Sequence, residues 1–157
     1  MVHMETAKPV VLVADDSAED LFFIQRALGS DRADCILRSV RDGREAVEYL
    51  EGANHFGDRE KFPVPHVLVT DLKMPRMNGF EVVAWLRSHP PLATLPVVVL
   101  TSSPLDRDRD RAAELGVAAY VLKDVLVENP PAFAEVVRQQ LAACDSGLLP
   151  RSIHHAE

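Results

Sequence analysis

Cysteine is nearly absent from this chain: Cys35 and Cys144 are the only two in 157 residues. They lie far apart and lack metal-site spacing, so they read as packing or surface thiols in a reducing compartment, not as a disulfide frame. Long apolar runs are missing too. A membrane-spanning helix needs roughly 20 consecutive apolar residues, and the runs here are strand-sized and broken by charge or proline. Met1 to Lys8 has no apolar middle region of the kind a signal peptide carries, so a cytoplasmic location is expected. An excess of basic charge is the third absence. With 17 Lys and Arg against 24 Asp and Glu, the net charge is -7, which argues against the positive face that nucleic acid requires. Neither a membrane nor a nucleic-acid partner is expected. Aromatics make up only 6%, yet the 47% hydrophobic content suffices for one core, and no second domain is expected.

What is present is an alternation of short apolar runs with amphipathic stretches, which predicts a parallel sheet with crossover helices. Strands are expected near 9–14, 33–39, 66–70, 96–100 and 118–122. The second, ADCILRSV, mixes apolar with polar residues and reads as an edge; the others are nearly continuous apolar runs, as in strands covered on both faces. Five helices are expected. The first starts at Ser17, with Glu19 and Asp20 favouring its positive end, and carries Leu21, Ile24, Gln25 and Leu28 on one face. Gly43 opens the second, and Asn78 with Glu81 forms a near relative of the capping box ahead of the third. The fourth begins DRDRDRAAELG at Asp106 and leaves only Ala112, Ala113 and Leu115 to pack. It is expected to be the most mobile helix, its alternating charges forming a solvated face with helical ion pairs. The fifth follows the breaker Pro130-Pro131, with Phe133, Val136, Val137 and Leu141 on one stripe. Residues 52–65, GANHFGDREKFPVP, exceed the usual connection of about 2 to 6 residues and read as a surface insertion. The expected organisation is a flexible start over 1–7, one domain over 8–144, and a loose tail over 145–157.

Four of these strands end on chemically capable side chains: Asp15 and Asp16, Asp71, Thr101, and Lys123. The carboxyl ends of parallel strands share one edge of an α/β sheet, so these residues should meet there. Two negative charges 4 Å apart repel by about 4 kcal/mol at an effective dielectric of 20. Three carboxylates therefore call for a cation. An oxygen-only set with no histidine or cysteine nearby suits a hard ion such as Mg2+. Lys123 can offset the carboxylates or bind a phosphoryl oxygen, and Thr101, followed by Ser102 and Ser103, leaves room for a phosphoryl group. These are the parts needed to move a phosphoryl group onto a carboxylate. Asp71 is the better nucleophile, because Pro75 and Gly79 in LVTDLKMPRMNG leave its loop open while Asp15 and Asp16 are placed to hold metal.

Through VLVADDS, VTDLKMPRMNGFE, VVVLTSS and AYVLKD, in that order, the chain resembles the receiver domain of bacterial two-component response regulators over about residues 8–143. The resemblance implies a flavodoxin-like (βα)5 three-layer sandwich with a parallel five-stranded sheet in the order 2-1-3-4-5. It implies Asp71 as phosphoacceptor for a sensor histidine kinase. Asp16, Asp71 and the Lys73 backbone carbonyl would bind Mg2+, with Asp15 acting mainly through bound water. Thr101 and Lys123 match the phosphoryl-sensing pair, and Tyr120 the aromatic switch. The face of helix four, strand five and helix five would then serve partner binding or homodimerisation. Two features depart from the common pattern: Asp124 stands where proline often follows the lysine, and residues 52–65 are inserted. With no output domain in evidence, the chain looks like the single-domain regulators paired with phytochromes, and a bacteriophytochrome kinase is the expected partner. Two other readings stay open. A Mg2+-dependent phosphatase passing through an aspartyl phosphate would use the same groups but needs a substrate cap. A flavodoxin-like cofactor binder would bring its phosphate against Asp15 and Asp16.

Overall fold

A computed structural model describes residues 8–29 and 35–145. Five parallel strands, β1 (Val10–Ala14), β2 (Ile36–Val40), β3 (Val67–Thr70), β4 (Val97–Thr101) and β5 (Ala119–Leu122), form one sheet in the order β2-β1-β3-β4-β5. The helices are α1 (Ala18–Leu28), α2 (Gly43–Glu51), α3 (Gly79–Arg87), α4 (Asp106–Glu114), α5 (Val125–Glu128) and α6 (Pro130–Asp145). Side chains alternate across a strand, so β1 sends Leu12 and Ala14 to one face and Val11 and Val13 to the other. The first set packs with Ala46, Tyr49, Val83 and Leu86 under α2 and α3; the second packs with Ile24, Phe133 and Val137 under α1 and α6. The result is the expected three-layer, flavodoxin-like sandwich. β1, β3 and β4 are buried along their whole lengths, which is why each reads as an uninterrupted apolar run. β2 is the predicted edge, and the start of its expected range, residues 33–34, lies outside the described residues. So do the expected flexible start and nearly all of the expected tail.

Several local expectations are revised. The expected fifth helix is α6, which begins at Pro130 itself, and an unexpected single turn, α5, precedes it and closes at Asn129. Pro130 and Pro131 fall in the first turn, where the missing N–H costs nothing and the fixed φ favours the helix, so they start it instead of delaying it. Gln25 is exposed, leaving Leu21 and Ile24 as the buried residues of α1. The 52–65 segment is no mere surface loop. It makes a 3-10 turn over Asn54–Gly57, and Phe56 enters the core against Tyr49 and Phe62. Arg59 ties it down by donating to the carbonyls of Tyr49, Leu50 and Phe62 at 2.9 to 3.0 Å. Both cysteines are buried, the packing role their spacing suggested.

Ala112 is the only buried residue of α4, as thin a contact as its sequence implied. Its charges behave differently from the expectation. Among the described residues no ion pair within 4 Å joins them to one another. Instead Arg109 lies over the Tyr120 ring at 4.5 Å and Arg111 over Phe80 at 4.4 Å, so guanidinium faces replace apolar side chains as the glue.

Candidate functional site

Hydrogen bonds of the sheet ladder run one residue past the strands and bring the predicted residues to one edge. The Asp71 amide donates to the Ala14 carbonyl at 3.0 Å, and the Lys123 amide donates to the Thr101 carbonyl at 2.9 Å. Asp15 and Asp71 therefore emerge side by side from β1 and β3, and Lys123 emerges beside Thr101. α3 closes the floor. Its N-cap Asn78 and Glu81 form the full capping box that their spacing suggested. Gly79 sits so tightly on Asp71 that a Cβ would collide with the Asp71 carbonyl oxygen.

At the centre is the Lys123 ammonium. It donates to Asp20 Oδ2 at 2.6 Å and Asp71 Oδ2 at 2.7 Å, and it pairs with Asp15 Oδ2 at 2.9 Å. Two carboxylates thus accept its hydrogen bonds and a third lies in ion-pair range. Burial works against the charge, but the three carboxylates outweigh it and hold the ammonium above the ordinary lysine range. Asp15 and Asp71 are 1% and 7% exposed. Burial raises the Asp15 carboxyl, opposed by its bonds to Lys123 and to the Ser17 amide at 2.9 Å. The second oxygen of Asp71 accepts from the Leu72 amide at 2.6 Å, with the Lys73 amide 3.4 Å away.

Asp15, Asp16 and Asp71 offer ligand oxygens that all lie within 4.8 Å of one another. Counting Asp20, the site gathers four carboxylates, three of them on the one ammonium, leaving a deficit of positive charge. Oxygen-only donors with that deficit fit a hard divalent cation, Mg2+ or Mn2+, and no softer one. Asp16 is exposed and borders an open groove of about 570 Å3 lined also by Leu72, Lys73, Met74, Phe80 and Arg111.

The remaining predicted residues lie on the β4 and β5 side of this edge. Thr101 is buried, and its hydroxyl accepts from the Ser103 amide at 3.3 Å. Tyr120 is half-buried and donates its hydroxyl to the Ser103 carbonyl at 2.8 Å; burial raises its phenol above the usual tyrosine value. Ser103 in turn donates to Asp108 Oδ2 of α4 at 2.6 Å. Lys123 passes into Asp124 without a cis bond, since no described peptide is cis, and Asp124 starts the α5 turn.

Sequence reasoning missed Asp20. It stood as a charge favouring the helix end, because the third helical position is where such residues stabilise the dipole. The overlooked signal was its partner. In a capping box the residue at this position reaches back to the N-cap amide, but here Asp15 takes the Ser17 amide and frees the Asp20 carboxylate for Lys123.

The sheet order and the strand-edge site define a doubly wound, flavodoxin-like α/β domain with an acidic, metal-competent pocket and a facing lysine. More narrowly, the chain belongs to the response regulator receiver domain family, whose domain matches residues 11–134. It is 35% identical over 114 residues to response regulator Rcp1 of a Synechocystis strain, covering 73% of this chain and 76% of that protein. Among solved structures, the phosphorylated cyanobacterial phytochrome response regulator RcpA superposes with a TM-score of 0.74 at 28% identity, covering 82% of this chain and 93% of that one. A Mn2+-bound form of Rcp1 gives a TM-score of 0.70 at 31% identity, covering 79% and 90%. No helix among the described residues is long and apolar enough to cross a membrane.

Proposed function

We propose that this chain is the phosphoacceptor of a cytoplasmic two-component phosphorelay, with its working domain over residues 8–144 and Asp71 receiving the phosphoryl group from a sensor histidine kinase. One observation carries the reading: the Asp71 carboxylate sits within a metal-competent triad whose Asp16 borders an open groove, with the Lys123 ammonium 2.7 Å from Asp71. Asp15, Asp16, Asp71 and the Lys73 carbonyl would hold Mg2+, which when bound supplies charge neutralisation for the incoming phosphoryl oxygens. An Asp71 oxygen attacks phosphorus, forming an O–P bond as the N–P bond of the kinase phosphohistidine breaks. The departing imidazole leaves neutral when its second nitrogen carries a proton. With acetyl phosphate the bond that breaks is O–P and acetate departs. Lys123 directs its ammonium at the transferred group, and Thr101 turns its hydroxyl toward it, releasing Ser103 and letting Tyr120 follow. α4, β5 and the helices after β5 form the face that reports the change, to a partner or to a second copy. The phytochrome association of the relatives' names supports a phytochrome kinase as donor.

The test is labelling with radioactive acetyl phosphate and Mg2+. Asp71→Asn should abolish an acid-stable, base-labile label; stoichiometric label surviving in that variant would overturn the assignment.

A further inference from the structure

Lys123 is held by three carboxylates, and these are not equivalent. Asp15 and Asp71 belong to the triad whose oxygens can converge on a metal ion; Asp20 does not. Asp20 comes from the first turn of α1, where Ser17 fixes its backbone by accepting from the Asp20 amide at 3.1 Å. Among the described residues Lys123 is the one hydrogen-bond partner of its carboxylate, and at 2.6 Å this is the shortest of the three contacts. A cation held by the triad would compete with the ammonium for the Asp15 and Asp71 oxygens. Asp20 keeps its hold.

We propose that Asp20 is a positioning residue for phosphoryl transfer: it tethers Lys123 from outside the metal cluster and keeps the ammonium aimed at Asp71 once metal and phosphoryl group have recruited the other two carboxylates. This rests on the assignment of Asp71 as phosphoacceptor. It adds a residue on α1 that touches neither the phosphoryl group nor the metal and acts through Lys123. A flexible four-carbon side chain gains most from such a fixed partner, because the tether removes rotamer freedom before the reaction begins.

Asp20→Asn keeps the size and helical position but removes the charge-assisted acceptor. At saturating Mg2+ it should slow labelling by acetyl phosphate by roughly tenfold or more, the scale of one charge-assisted hydrogen bond. It should raise the beryllofluoride concentration for half-saturation by a similar factor, with Mg2+ affinity measured by calorimetry changed by less than about threefold. Asp20→Glu should recover part of the loss, and Asp20→Asn should add nothing in a Lys123→Met background. The proposal is overturned if Asp20→Asn labels and binds beryllofluoride within about twofold of wild type, or if its effect persists undiminished beside Lys123→Met. A parallel loss of Mg2+ affinity would overturn it as well, by making Asp20 part of the metal site. Wild-type protein that takes no label on Asp71 would overturn both this inference and the phosphoacceptor reading, whereas normal wild-type labelling with an indifferent Asp20→Asn overturns the inference alone.

Discussion

Replacing Lys123 with Met removes the ammonium and keeps most of the apolar stem, leaving Asp15, Asp20 and Asp71 facing one another without their shared counter-ion. Breaking a buried ion pair by deleting one partner costs about 3–5 kcal/mol, because the remaining charge stays desolvated. Two of the three carboxylates here are almost fully buried, so a loss in that range is expected in urea unfolding at neutral pH with a chelator present. Asp20 is one-quarter exposed on its side chain and adds little to the total. The loss must also depend on pH with a definite sign. Burial already holds the Asp15 carboxyl above its ordinary value, and losing Lys123 removes the partner that opposes this; such a raised group favours folding below its unfolded value and loses that contribution as pH rises through the folded value. The gap to wild type should therefore shrink as pH falls toward the acid range. Mg2+ should close the gap too, since the variant offers the ion an uncompensated triad; each tenfold gain in Mg2+ affinity over wild type narrows it by about 1.4 kcal/mol. A variant equally destabilised with and without Mg2+, or as stable as wild type in chelator, would refute this electrostatic account.

Gly79→Ala should be costly for steric reasons, because the new methyl meets the Asp71 carbonyl oxygen and the Leu72 backbone. Overpacking of this kind costs about 1–3 kcal/mol; a denaturation midpoint matching wild type would contradict the close approach. A third prediction concerns Asp42, the N-cap of α2. Burial opposes its charge, but the Glu45 amide at 2.8 Å and the Arg76 guanidinium at 3.0 Å hold the carboxyl below the ordinary aspartate value. A depressed carboxyl supports folding above its unfolded value and loses that support as pH falls through the folded one. Arg76→Gly, which also relieves the left-handed φ of 66° at that residue, should shift the Asp42 midpoint in an NMR titration upward toward about 3.9. An unmoved midpoint would show that the helix terminus alone sets it.

The sheet was legible because β1, β3 and β4 are covered on both faces, and a strand with no wet side has no polar residues to interrupt its run. The chemistry was legible for a related reason: residues such as Asp71 and Lys123, placed immediately after such runs, have only one edge of the sheet to occupy. The strand order rested on the resemblance, since alternation alone does not choose among parallel topologies. What escaped was set by contacts distant in sequence. Asp20 and Lys123 are 103 positions apart, and nothing near Asp20 announces an ammonium. Phe56 and Phe62 fall in a stretch rich in polar and turn residues, and only Tyr49 and Arg59 together show that the segment folds inward. Pro130 and Pro131 look like an interruption in the sequence because local propensity does not say on which side of a proline a helix lies.

The way α4 is attached has a thermodynamic consequence. A helix held by two guanidinium faces, one buried alanine and the Ser103–Asp108 hydrogen bond uncovers little apolar surface when it lifts away. Its release therefore carries a small heat-capacity change and a shallow dependence on denaturant, unlike the unfolding of the sheet and its flanking helices. Temperature and urea have little purchase on that equilibrium. A binding partner that offers Arg109 or Arg111 another aromatic ring can shift it directly, leaving the core intact.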